Sequence, residues 1–103
     1  MTTLTCSSLG ITDITGIESL TSLTSLNLTS NSIVDIAALT NLIALTNLEI
    51  GLNAIVDAAA LFGLINATFI DLFGNDGITC TQLDALDAGL GAGVVFRPTT
   101  CAP

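Results

Sequence analysis

Residues Leu23–Asn31 read LTSLNLTSN. Twenty-two residues on, Leu45–Asn53 reads LTNLEIGLN, and after the same step Ala67–Asn75 reads ATFIDLFGN. The register between these stretches is strict. Leu26, Leu48 and Ile70 fall at one position of the frame, Leu28, Ile50 and Leu72 at another, and Asn31, Asn53 and Asn75 at a third. Ile11, Ile33 and Ile55 keep the step, as do Asp13, Asp35 and Asp57, and Leu20, Leu42 and Leu64. Run backwards, the frame puts Leu4 and Cys6 where paired aliphatics belong, and Leu9 where Asn belongs. A fixed period of this size signals a solenoid.

Alternation in Leu26-Asn27-Leu28 or Leu48-Glu49-Ile50 sends two side chains to one face and one to the other, as in a strand. One such strand cannot bury its apolar face alone. Stacked coils make a parallel sheet over a continuous core, each coil touching its neighbours. The second half of a coil, as in Ile33, Ile36, Leu39 and Leu42, has apolar residues three apart. That spacing predicts short 3₁₀ or helical turns that return the chain on the outer side.

The pattern LxxLxLxxN followed by IxDIxxLxxL resembles the leucine-rich repeat of bacterial internalin-like proteins, over residues 1 to about 78. The resemblance implies an α/β solenoid, with a parallel β-sheet on the concave side and short 3₁₀ or helical turns on the convex side. Residues 1–79 are divided into coils 1–22, 23–44, 45–66 and 67–79, with a C-terminal helix-plus-strand cap over residues 80–103. The tail ITCTQLDALDAGLGAGVVFRPTTC looks like the cap of such bacterial proteins. Relatives of this type are secreted or surface proteins used in adhesion, so the resemblance implies an extracellular or cell-surface setting.

Composition bounds the function. Half of the 103 residues are hydrophobic and only 10% are charged, against roughly 25% in an average protein. Polar residues interrupt every apolar stretch, so none reaches the ~18 residues of a membrane span. Nine acidic residues face one basic residue, Arg97, and there is no His, for a formal charge of −8. That balance argues against nucleic acid and anionic membranes as partners, since both are held by Lys and Arg. It also leaves no His for acid–base chemistry and no base beside a Cys, Ser or Thr. Glu49 and Asp71, on adjacent strands, could at most form an acidic row or a weak cation site. No enzyme activity, metal or cofactor is expected.

In the cap, TQLDALDAGL places Leu83, Leu86 and Leu90 on one helical face, with Asp84 and Asp87 outward. Asp84 is assigned to the first turn, and Gly89 and Gly91 to the helix end. GVVFRP reads as a last strand: with Arg97 outward, Val94 and Phe96 would face in, and Pro98 would end the ladder. Cys80 and Cys101 bracket this segment. A zinc site needs four ligands, and with no His and one more Cys the count fails. A disulfide is the expected pairing, and it implies an oxidising compartment. Cys6 sits at an inward strand position without an assigned partner.

Asn31, Asn53 and Asn75 fit a structural ladder whose amides satisfy backbone groups where the chain leaves the strand. The alternative is a polar row for a ligand. Asp13, Asp35 and Asp57 read as acceptors for backbone N–H groups on the outer turns, a calcium row being the other reading. Thr2, Thr24, Thr46 and Thr68 form a further row, read as hydroxyls capping strand starts or as an ice- or mineral-binding array.

Residues the core does not use are left for contact. The early coils offer small polar groups such as Asn27; the later ones gather Asn47, Glu49, Leu52, Phe69, Asp71 and Phe73. Exposed aromatics on a rigid sheet make binding hot spots. Coverage of the phenylalanines by the cap, or by a neighbouring domain of a longer protein, is the competing reading. The sequence thus points to a non-enzymatic binding module whose concave sheet meets a protein or glycan, with a structural spacer as the alternative. The N-terminal coil, with Met1, Leu4 and Leu9 but no cap, leaves self-association through that edge open. There is no signal peptide in the opening residues, and a trimmed segment of a longer protein is expected.

Overall fold

The computed structural model describes residues 2–101; Met1, which the sequence reading placed at the uncapped edge, lies outside them. Five short strands form one parallel sheet in chain order: β1 (Thr3–Thr5), β2 (Ser25–Asn27), β3 (Asn47–Glu49), β4 (Phe69–Asp71) and β5 (Val95–Phe96). Leu4 pairs with Leu26, Leu26 with Leu48, and Leu48 with Ile70, so the sequence columns are lateral neighbours. The first three coils return through 3₁₀ turns, at Ile17–Ser19, Ala37–Leu39 and Ala59–Leu61. The fold is a leucine-rich-repeat solenoid measuring 35 × 27 × 17 Å.

Its core is the set of columns. Leu26, Leu48 and Ile70 are fully buried, as are Leu39, Leu42, Leu61 and Leu64 from the return halves. Burial of an aliphatic side chain contributes about 2 kcal/mol, and an inner coil reaches full burial because the coil before covers one side and the coil after the other. At the N-terminal end Leu4, Cys6, Ile11 and Leu20 are only partly buried, because nothing among the described residues stacks on β1. They line an open hollow of about 330 Å³.

The cap begins at Thr79, whose hydroxyl accepts from the Gln82 N–H. The helix α1 (Cys80–Leu90) follows, with Leu83 and Leu86 fully buried against the last coil. Gly91, at φ 104°, closes it, a conformation that costs glycine little. Two expectations shift here. Asp84 lies beyond the first turn, since the helix starts at Cys80, and Gly89 is within the helix rather than at its end. Cys80 and Cys101 are joined by a disulfide, with Cα atoms 5.4 Å apart, while Cys6 is free.

The phase of β5 is the reverse of the one expected. Val95, not Phe96, stands opposite Ile70 and faces the core, and Phe96 stands opposite Asp71 on the open face. Arg97 therefore turns toward the helix. Its side chain is only 10% exposed, and Nη1 lies 3.0 Å from Asp84 Oδ1 and 2.9 Å from Asp87 Oδ2. A charge can be withdrawn from water where paired carboxylates meet it, so the usual outward placement of Arg does not hold here.

Candidate functional site

The open face of the sheet is built from the side chains that alternate away from the core. Register lines them up across the strands. Thr5, Asn27, Glu49, Asp71 and Phe96 form one row, and Thr3, Ser25, Asn47 and Phe69 form a second. The face is graded along the solenoid, from hydroxyls through amides and carboxylates to aromatic rings.

Every residue expected at this face lies on it or at its rim. Phe69 and Phe73 are each 38% exposed and Leu52 49%. Phe96, which the sequence reading sent into the core, is 53% exposed and stacks on Phe73 with ring centroids 5.8 Å apart. The cap thus contributes a ring to the patch and covers Phe73 only in part. The polar members are held in place. Asn47 Nδ2 donates to Glu49 Oε2 (3.2 Å) and to Ser25 Oγ (3.4 Å), Asn27 Oδ1 accepts from the Thr29 N–H (3.0 Å), and Asp71 Oδ1 accepts from the Phe73 N–H (2.9 Å). Gly51 makes room for this last turn: a Cβ there would lie 3.2 Å from both Asp71 carboxylate oxygens.

Leu52 sits in a further column that periodicity alone did not reveal. Ser8, Ser30, Leu52 and Gly74, each one coil apart, all have positive φ, at 57°, 61°, 55° and 83°. The turn out of the strand demands a left-handed residue in every coil. Glycine meets that demand freely, the small serines carry the β-carbon penalty, and a bulky leucine there is the most strained.

Next to this turn the Asn columns are tied into the backbone. Asn75 is fully buried; its Nδ2 donates to the carbonyls of Ile50 and Leu72, and its Oδ1 accepts from the Ile55 N–H. Asn53 repeats the pattern with Leu28, Ile50 and Ile33, and Asn31 with Cys6, Leu28, Leu9 and Ile11. Leu9, standing in the Asn position, gives no such ladder and is 66% exposed.

On the outer turns Asp13, Asp35 and Asp57 accept from the N–H groups of Thr15, Ala37 and Ala59. Asp13 also takes the Thr15 hydroxyl, and that bond, then the backbone one, holds its carboxyl below the usual value. Asp57 is lowered likewise, first by the Gln82 amide and then by Ala59 N–H. Gln82 was not singled out in the sequence. It bridges the cap and the third coil, its Oε1 accepting from Ala58 N–H while its Nε2 donates to Asp57. The Thr row is also committed: Thr24, Thr46 and Thr68 each donate the hydroxyl to the carbonyl of the Thr one coil earlier, at 3.0–3.2 Å.

A parallel sheet of stacked coils, with an Asn ladder and 3₁₀ returns, defines the leucine-rich-repeat class. Comparison with solved structures sharpens this. An internalin, InlF, from Listeria monocytogenes matches with a TM-score of 0.78 and 39% identity over 90% of this chain, which covers 28% of that protein's chain. Internalin C2 from the same organism matches with a TM-score of 0.80 and 33% identity over 91% of this chain and 40% of its own. The chain is an internalin-like leucine-rich-repeat protein, and it spans less than half the length of either relative. No family profile and no curated protein sequence matches it.

Proposed function

We propose that the chain is a non-enzymatic binding module of a secreted or surface bacterial protein, and that the open face of its sheet grips a protein partner. Leu52 carries the reading. A bulky residue strained in a left-handed turn, with its side chain exposed beside Phe69, Phe73 and Phe96, is kept where Gly, as at Gly74 one coil on, would fit without that strain. Strain of that kind at an exposed apolar position supports selection for contact rather than for stability. Rigid aromatic rings lose little entropy on binding.

The test is a pair of substitutions, Phe69→Ala with Phe73→Ala, in a module used to capture and then reconstitute binding with a purified surface protein. The partner bound by the wild type is lost by the double variant, while melting falls by only a few degrees. Collapse of the fold in that variant, or unchanged binding, overturns the reading. A spacer without a ligand is favoured by one observation, the Phe73–Phe96 stack, which serves the cap as well as the surface. A spacer tolerates Leu52→Asn and both Ala substitutions in every binding assay. The ice-binding alternative has weaker support, since the Thr hydroxyl protons are spent on the backbone.

A further inference from the structure

The open face carries a charge pattern that narrows the kind of partner. Glu49 and Asp71 stand directly opposite one another on β3 and β4, and Phe96 stands opposite Asp71 on β5. Among the described residues neither carboxylate has a cation paired with it. The single basic side chain, Arg97, is turned away under the sheet and is consumed by Asp84 and Asp87. The chain therefore has no side-chain cation to offer these two acids, and the counter-charge must come from whatever docks. Asn47 and the Phe73 N–H hold one oxygen of each carboxylate, which fixes the pair without neutralising it.

Resting on the reading of this face as the binding surface, we propose that its occupant is an extended, basic protein segment with a Lys or Arg and an apolar residue two positions apart. The spacing follows from sheet geometry. Neighbouring strands lie ~4.8 Å apart, so a cation midway between Glu49 and Asp71 sits about 7 Å from the Phe96 row. In an extended chain, same-side residues i and i+2 are also ~6.8 Å apart. A segment crossing the strands can then seat its basic group on the two carboxylates and its apolar group on the stacked rings of Phe96 and Phe73. Adjacent residues point to opposite sides and cannot do both.

Two octapeptides of the same composition separate these cases, one with Lys and Leu two apart and one with them adjacent. Each is titrated into the ¹⁵N-labelled chain. The first moves the amide signals of Glu49, Phe69, Asp71 and Phe96, and binds at least about tenfold more tightly than its isomer. Glu49→Gln with Asp71→Asn removes that advantage, and so does raising the salt. Equal binding of the two peptides, signals moving around Asp13 and Asp35 instead, indifference to the amide variants, or no binding at all overturns the proposal. If a partner lost on Phe69→Ala with Phe73→Ala is retained by Glu49→Gln with Asp71→Asn, the face binds but this segment chemistry is wrong.

Discussion

At Leu52 a side chain opposes its own backbone. At φ 55° the β-carbon itself is crowded and a bulky side chain adds to it, and the same turn position is filled by Ser8, Ser30 and Gly74 elsewhere. Leu52→Asn gives the left-handed turn a residue suited to it. Thermal melting should show a gain of about 1 kcal/mol, with partner binding reduced; a loss of stability would mean that the leucine packs usefully over Gly74. Asn75 is the opposite case, a fully buried amide that suits its three backbone partners. Asn75→Ala strands the Ile55 N–H, whereas the Ile50 carbonyl keeps the Asn53 amide and the Leu72 carbonyl keeps the backbone N–H of residue 75. With one buried N–H left unpaired and two amide bonds lost, denaturant unfolding should report a loss of about 2 kcal/mol. The two residues differ in how legible they were. Asn75 repeats by type in its column, so its inward role could be read from spacing. The left-handed column holds Ser, Ser, Leu and Gly, which share a backbone angle and no side-chain chemistry, so spacing alone could not show it.

Among elements, the repeated ones were legible and the cap was read only in part. Each strand of the repeats could be checked against copies one period away, which fixed its inward and outward phases together. β5 has no copy. Val94, Val95 and Phe96 are all apolar, so alternation alone allowed either phase, and the choice turned on Arg97, assumed to prefer water. The decisive contact, the pairing of Arg97 with Asp84 and Asp87, joins two elements and cannot be seen within either. That same contact puts Phe96 in the aromatic patch, which makes the patch depend on the cap. The disulfide Cys80–Cys101 closes a loop with a sequence separation of 21, and loss of such a closure costs about 3 kcal/mol. Reduction, or Cys80→Ser with Cys101→Ser, should lower stability by about that much. It should also weaken binding at the open face, because β5 is no longer tied at both ends. Binding that survives reduction in a chain still folded would show that Phe96 is not needed.

For the whole molecule the balance of charge is the governing fact. A formal charge of −8 with one internally paired Arg leaves mostly like charges on the surface. Self-repulsion of this kind weakens the compact state and is screened by salt. Melting temperature should therefore rise by a few degrees from low to physiological ionic strength. A fall would mean that the Arg97 pair outweighs the repulsion. Acid acts through particular carboxyls as well as through net charge. Asp13 and Asp57 have folded-state values below the ordinary 3.8, held there by Thr15 and by Gln82 with Ala59. A group depressed on folding contributes stability that is complete above its unfolded value and disappears as pH falls through the folded one. The window thus begins near pH 3.8 and extends below it. Asp13→Asn with Asp57→Asn keeps acceptors for the same N–H groups but cannot titrate. Measured in high salt, where general repulsion is screened, the wild type should melt above this variant at neutral pH. The gap should close as acid is added below that window's upper edge. A gap independent of pH would assign the difference to packing at the outer turns, and the charge on those two aspartates would then have no part in holding the coils together.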